Sequence, residues 1–235
     1  MKKNTPITAG NLDRDSSMLQ FLKSLKFVSE LNKGVQSLKT FVYPSVLQKQ
    51  AMPAIKQAPT PNIIINYQEL AGIKLTYLLP LLNNLLRSAI ENSLGDAPKP
   101  LSLVILCHSF LRCQELADLS QELVQFCGDM LEVVSLDSAD SAECALKLKK
   151  SMQDKNVLKA RILIMTPSIA LKLKLPLSDL ILQSVVLDKI DLLQALDFGS
   201  DLVKLGLKAK YRCVFTNSDS RDEAVKEKSE VEEFK

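Results

Sequence analysis

Gln183-Ser184-Val185-Val186-Leu187-Asp188-Lys189-Ile190-Asp191-Leu192-Leu193 is the stretch on which the fold turns. Its short apolar run is rich in valine and lacks polar alternation, so it reads as a strand covered on both faces, as in a parallel sheet. The run ends in two aspartates three residues apart. An open parallel sheet presents its ligand crevice at that place, outside the carboxyl ends of its strands.

The same pattern repeats on both sides of this stretch. Strands are predicted at Asn62–Asn66, Leu103–Cys107, Leu131–Leu136, Arg161–Met165, Gln183–Asp188 and Tyr211–Phe215. Helical patterns fall between them, near Leu75–Asn92, Leu111–Phe126, Ala142–Met152, Ile169–Leu173 and Leu192–Leu205. Connections this long join parallel strands through right-handed crossovers. The expected fold is therefore α/β, an open parallel sheet with helices on both faces, three layers deep.

The chain has 235 residues, 46% hydrophobic and 24% charged, enough to bury the core of one such domain. A net charge of +3 permits an anionic partner without demanding one. No apolar run approaches the roughly 20 residues of a membrane span, so no membrane partner is expected, and the first 17 residues lack the apolar core of a signal peptide. Five scattered cysteines (107, 113, 127, 144 and 213) form no C-x-x-C pair. They read as free thiols of a reducing intracellular compartment: nucleus, nucleolus or cytoplasm, with an organelle also compatible. The single histidine, His108, gives no metal cluster. An N-terminal extension is assigned to residues 1–16, the domain to 17–218 and a charged tail, solvated helix or disordered, to 219–235. Within the domain, a helical region spans Ser17–Lys39, Pro44 opens a helix over Ser45–Lys56, and Ala58-Pro59-Thr60-Pro61 makes a stiff linker.

A series of motifs in order along the chain resembles the first RecA-like domain of DEAD-box RNA helicases, from about Phe21 to Ser218. The resemblance implies a RecA-like, P-loop NTPase-type sheet. Asp188-Lys189-Ile190-Asp191 looks like the D-E-A-D box, in which the first Asp serves Mg²⁺ and the Glu activates water. Lys189 occupies that Glu position and cannot act as a carboxylate base. Its charge would repel Mg²⁺ from Asp188, or form a neutralised cluster with Asp188 or Asp191 in place of the metal.

The other motifs are degenerate too. Thr40-Phe41-Val42-Tyr43-Pro44-Ser45-Val46-Leu47-Gln48 looks like the Q motif. Gln48 would bond adenine and Phe21 or Phe27 would stack on it; the alternative is an ordinary exposed helical glutamine. Gln68 to Leu82 looks like the phosphate loop and its helix. Anchored on Tyr77-Leu78-Leu79-Pro80, the Lys and Thr positions are Ile73 and Lys74, with Gly72 the remaining glycine. Lys74 reads as solvent-facing, with a surviving phosphate ligand as the sharper alternative. Cys107-His108-Ser109-Phe110-Leu111-Arg112-Cys113-Gln114 looks like P-T-R-E-L-A-x-Q, keeping Leu111 and Gln114. His108 and Ser109 replace its Thr and Arg; His108 is a loop residue, or a residual RNA or protein contact. Thr166-Pro167-Ser168-Ile169 resembles T-P-G-R. Thr166 caps the following helix or contacts RNA phosphate, with Ser168 beside it. Asp197-Phe198-Gly199 follows the family pattern, and Val214 to Ser218 stands where F-S-A-T would.

Apolar frame positions match, whereas glycines, the base and charged ligand positions depart. ATP hydrolysis needs phosphates, Mg²⁺ and an aligned water together. The expectation is a catalytically inactive module with no catalytic residue, no metal and no required cofactor. It would act in a ribonucleoprotein or RNA-processing complex, with protein partners and RNA as a further candidate. The alternative is a divergent ATP- and RNA-binding subunit that needs a second lobe. Lys147, Lys149, Lys150, Lys159, Lys172, Lys174, Lys208 and Lys210 read either as a solvated face or as an RNA-phosphate patch.

Overall fold

The structure is a computed structural model that describes residues 17–39, 42–57, 63–67, 72–93, 101–153, 159–173, 181–205 and 212–218. The expected linker at Ala58–Pro61, both terminal segments, and Lys174, Lys208 and Lys210 lie outside these residues. Six strands form one sheet: β1 (Ile63–Tyr67), β2 (Leu101–Leu106), β3 (Leu131–Leu136), β4 (Ala160–Met165), β5 (Ile181–Leu187) and β6 (Arg212–Ser218). Their order is β1-β6-β5-β2-β4-β3, and each neighbouring pair is parallel. All six expected strands are present.

Side chains alternate between the faces of a strand, and here both faces are buried. Leu103, Ile105, Ile162, Ile164 and Val186 join one apolar cluster; Val104, Leu106, Leu163, Met165, Val185 and Leu187 join another. The first cluster is covered by α1 (Met18–Ser24), α2 (Ser29–Ser37), α3 (Val46–Lys56), α4 (Ile73–Ser93) and α5 (Phe110–Val124). The second is covered by α6 (Ser141–Gln153), α7 (Pro167–Lys172), α8 (Ile190–Ala195) and α9 (Gly199–Lys204). Continuous apolar strands are the sequence mark of this three-layer arrangement.

Three boundaries differ from expectation. The region Ser17–Lys39 is two helices, broken where Lys26 takes φ 56° and the Phe27 N–H donates to the Leu22 carbonyl at 3.1 Å. Leu192–Leu205 breaks in the same way: Asp197 takes φ 63° and the Phe198 N–H donates to the Leu193 carbonyl at 2.9 Å. Both are left-handed C-terminal caps of the kind usually made by glycine. Pro44 lies outside its helix, because Ser45 is the cap. The Ser45 hydroxyl accepts from the Gln48 N–H at 3.2 Å, while Gln48 Oε1 accepts from the Ser45 N–H at 2.9 Å.

Candidate functional site

The carboxyl ends of β2, β4 and β5 lie side by side. The Asp188 N–H donates to the Leu106 carbonyl at 3.0 Å and the Cys107 N–H to the Met165 carbonyl at 2.9 Å. Residues just after these strands are therefore brought together: His108 and Ser109 after β2, Thr166 after β4, and Asp188 after β5. The N-terminal turns of α4 and α5 close over the same place.

Asp188 is fully buried and bound to a guanidinium. Arg112 Nε donates to Oδ2 at 2.6 Å and Nη2 to Oδ1 at 3.3 Å, a fork on both carboxylate oxygens. The Tyr77 hydroxyl, from α4, donates to Oδ1 at 3.0 Å. Arg112 Nη1 continues to Glu115 Oε2 at 3.2 Å, and the same oxygen accepts from Lys74 Nζ at 2.6 Å. One chain of alternating charge thus ties α4 to α5 and to the end of β5.

The electrostatics follow from burial and pairing. Burial pushes the Asp188 carboxyl up, but the Arg112 charge, its hydrogen bonds and the Tyr77 hydroxyl outweigh that and hold it below the ordinary carboxylate range. Burial pulls the Arg112 guanidinium down; Asp188 overcomes this and raises it. Burial, then the Asp188 charge, pushes the Tyr77 phenol well up, so it stays a donor. Glu115 is raised by burial and lowered further by Lys74 and Arg112, for a net fall.

Arg112 is the residue that sequence reasoning missed. Lys189 was the expected cation for Asp188 or Asp191; at Asp188 the structure places the Arg112 guanidinium on both oxygens. In the P-T-R-E-L-A-x-Q pattern its position belongs to alanine, and that small-to-cationic change was the available signal. Tyr77 had served only as an alignment anchor, although a tyrosine on a buried helix calls for a hydroxyl partner. Lys189 has a different distinction: its backbone is left-handed at φ 54°, ψ 67°, where it precedes α8. Asp191 lies half-buried in the first turn of that helix.

The remaining positions are mostly engaged in structure. Gln48 is 2% exposed, not the exposed helical residue of the alternative reading, and its Nε2 donates to the Gly72 carbonyl at 3.1 Å. Gly72 has φ 75°, and a Cβ there would come within 2.6 Å of Gln48 Nε2, so this glycine is fixed by conformation and contact. Ile73 is buried in the core rather than presented to a phosphate. Lys74 is half-buried and paired, not simply solvent-facing. Phe21 and Phe27 are 1% and 6% exposed within the core, so neither presents a ring face for a base to stack on. His108 is buried, unlike an ordinary loop residue. The Ser109 hydroxyl accepts from the Arg112 N–H at 3.2 Å and caps α5, which fixes the turn that carries the guanidinium. Thr166 caps α7, accepting from the Ile169 N–H at 3.4 Å, and shares a hydrogen bond with Ser168 at 3.1 Å. Gln114 is exposed on α5, facing away from this cluster along a separate groove.

Mg²⁺ requires close oxygen ligands in near-octahedral geometry. The Asp188 oxygens are already bound by a fixed cation and a phenol, so this arrangement does not fit the metal. A triphosphate fares no better: Ile73 offers no charge and Lys74 is held by Glu115.

The ATP-dependent RNA helicase DBP9 of Candida glabrata is 23% identical to the chain over 187 residues, 78% of this chain and 30% of that protein. S. cerevisiae Dbp5 bound to RNA and ADP BeF3 matches 89% of the chain and 49% of its own, with TM-score 0.59 and 19% identity. The DEAD-box helicase Mss116, bound to single-stranded RNA and UDP-BeF, matches 92% and 43%, with TM-score 0.66 and 12% identity. Prp28 from Chaetomium thermophilum, bound to ADP, matches 88% and 46%, with TM-score 0.60 and 17% identity. No protein-family model matches. The chain spans under a third of the curated relative and about half of each structural neighbour. The chain is thus similar in sequence to a DEAD-box RNA helicase and shares the RecA-like fold of the domains of such helicases.

Proposed function

We propose that the chain is a catalytically inactive, DEAD-box-derived module that serves as a structural or assembly element in a ribonucleoprotein or RNA-processing complex. The observation that carries this reading is the buried Arg112 fork on Asp188. It puts a permanent cation where a nucleotide-dependent ATPase would require an exchangeable one. Lys189, in the position of the general base, adds the second loss. The frame of the fold is retained, and no helix among the described residues is long and apolar enough to cross a membrane. Binding partners, not turnover, then define the role.

A second reading rests on the relatives themselves, which include a protein named as an ATP-dependent RNA helicase and structures holding RNA and ADP BeF3. In that reading Gln48, Lys74, Thr166 and Asp188 are working remnants and another lobe completes the site. Calorimetric titration with Mg-ATP separates the two. The inactive module gives no binding heat at millimolar nucleotide. Saturable heat that is lost in Lys74→Ala supports the second reading and overturns the first.

A further inference from the structure

One of the two edges of the sheet is β3, which pairs only with β4 among the described residues. A groove of about 570 Å³ runs along it, walled by α5 on one face of the sheet and α6 on the other. The floor is Glu132 to Ser135, an edge where alternate residues of a parallel strand point their N–H and C=O groups outward. Exposed edges in natural proteins are usually guarded by charge or by a covering element. Here much of the guard is already committed. Lys147 pairs with Asp137 at 3.3 Å and Glu143 at 3.0 Å, while Glu132 accepts from the Ser151 hydroxyl at 2.7 Å.

What is left uncommitted is polarised. On the α5 wall, Asp118 is an exposed carboxylate between the exposed amides of Gln114 and Gln121. On the α6 wall, Lys150 is an exposed ammonium with no ion-pair partner among the described residues. At the floor, buried Ser135 Oγ has no hydrogen-bond partner among them. An added strand sends successive side chains to opposite faces. One set would meet the Asp118 carboxylate and the amides, the other the Lys150 ammonium.

We infer that β3 is a docking edge for an extended peptide of another protein, one that alternates basic with acidic residues and adds as a seventh strand. A second copy of this chain fits worse. Antiparallel edge pairing in a continuous sheet keeps like faces together, setting Asp118 toward its own copy and Lys150 toward its own, and like charges across an interface are penalised. The inference stands whether or not the nucleotide site is dead.

The test is selection of random eight-residue peptides displayed on phage against the whole chain, counter-selected on Asp118→Lys/Lys150→Glu. Both substitutions are on exposed side chains outside the core, and a thermal melt checks that the variant folds. Three results are expected together. Enriched peptides alternate basic and acidic residues. A synthetic winner slows amide exchange in β3 and binds the variant roughly tenfold more weakly. Swapping the peptide's charges restores binding to the variant. Enrichment without alternation, equal binding to both proteins, or no protection of β3 overturns the inference. So does protection of β3 by a ten-residue polyuridine RNA with no peptide enriched.

Discussion

At the residue scale the molecule turns on one substitution of size and charge. A cation in the first turn of a helix meets the unfavourable end of the helix dipole, and burial adds to the cost. Arg112 is held there because Asp188 is also buried and also in need of a partner. Breaking such a pair from one side is expensive, since it leaves a buried charge alone. Arg112→Leu should therefore destabilise the chain by about 3–5 kcal/mol in urea unfolding, and adding Asp188→Leu should recover most of that loss. The pH dependence follows from the direction of the Asp188 shift. Its folded carboxyl is more acidic than the unfolded one, so the pairing stabilises above about pH 4 and is lost as pH falls through the lower folded value. In Arg112→Leu the burial stays and the cation goes, so the carboxyl moves up. That variant should gain stability relative to wild type as pH falls from about 7 to about 5. If urea midpoints at both pH values give parallel losses, Arg112 is not what holds Asp188 ionised.

At the scale of elements, the central strands β2, β4 and β5 were legible because both faces of the sheet are buried there and their sequences are dominated by apolar residues. The helix breaks were not. Apolar periodicity continues through Lys26 and Asp197, and neither residue announces a left-handed turn as glycine would. Gly34 is the contrary case, a glycine whose need is set by a neighbouring element. It lies on α2 against the Leu123 backbone of α5, and an added Cβ would clash with the Leu123 carbonyl. Gly34→Ala should cost about 1–3 kcal/mol through overpacking, read from urea midpoints, despite alanine's better helix propensity. A neutral or stabilising result would mean that α2 is free to shift away from α5. The site was less legible than the fold. Motif order grouped Gln48, Gly72 and Asp188 as one degenerate nucleotide site, but nothing in a linear pattern paired Arg112 with a residue 76 positions away. Long-range ion pairs leave no periodic trace.

At the scale of the whole molecule, retained frame and altered chemistry combine into one picture. Two buried apolar layers cover the RecA-like sheet, and a charge chain from Lys74 through Glu115 and Arg112 to Asp188 joins α4 and α5 to the end of β5. A working domain of this kind needs its metal and phosphate contacts to come and go with the reaction. In this chain Lys74 and Asp188 are engaged by Glu115 and Arg112 instead, as the proposed inactive module requires. Steady-state release of phosphate from Mg-ATP by the purified chain, with and without single-stranded RNA, is the measurement that goes straight to that point. Turnover indistinguishable from a no-protein control is the expected result. Magnesium-dependent turnover above that control, abolished by Asp188→Asn in protein that remains folded, would contradict it.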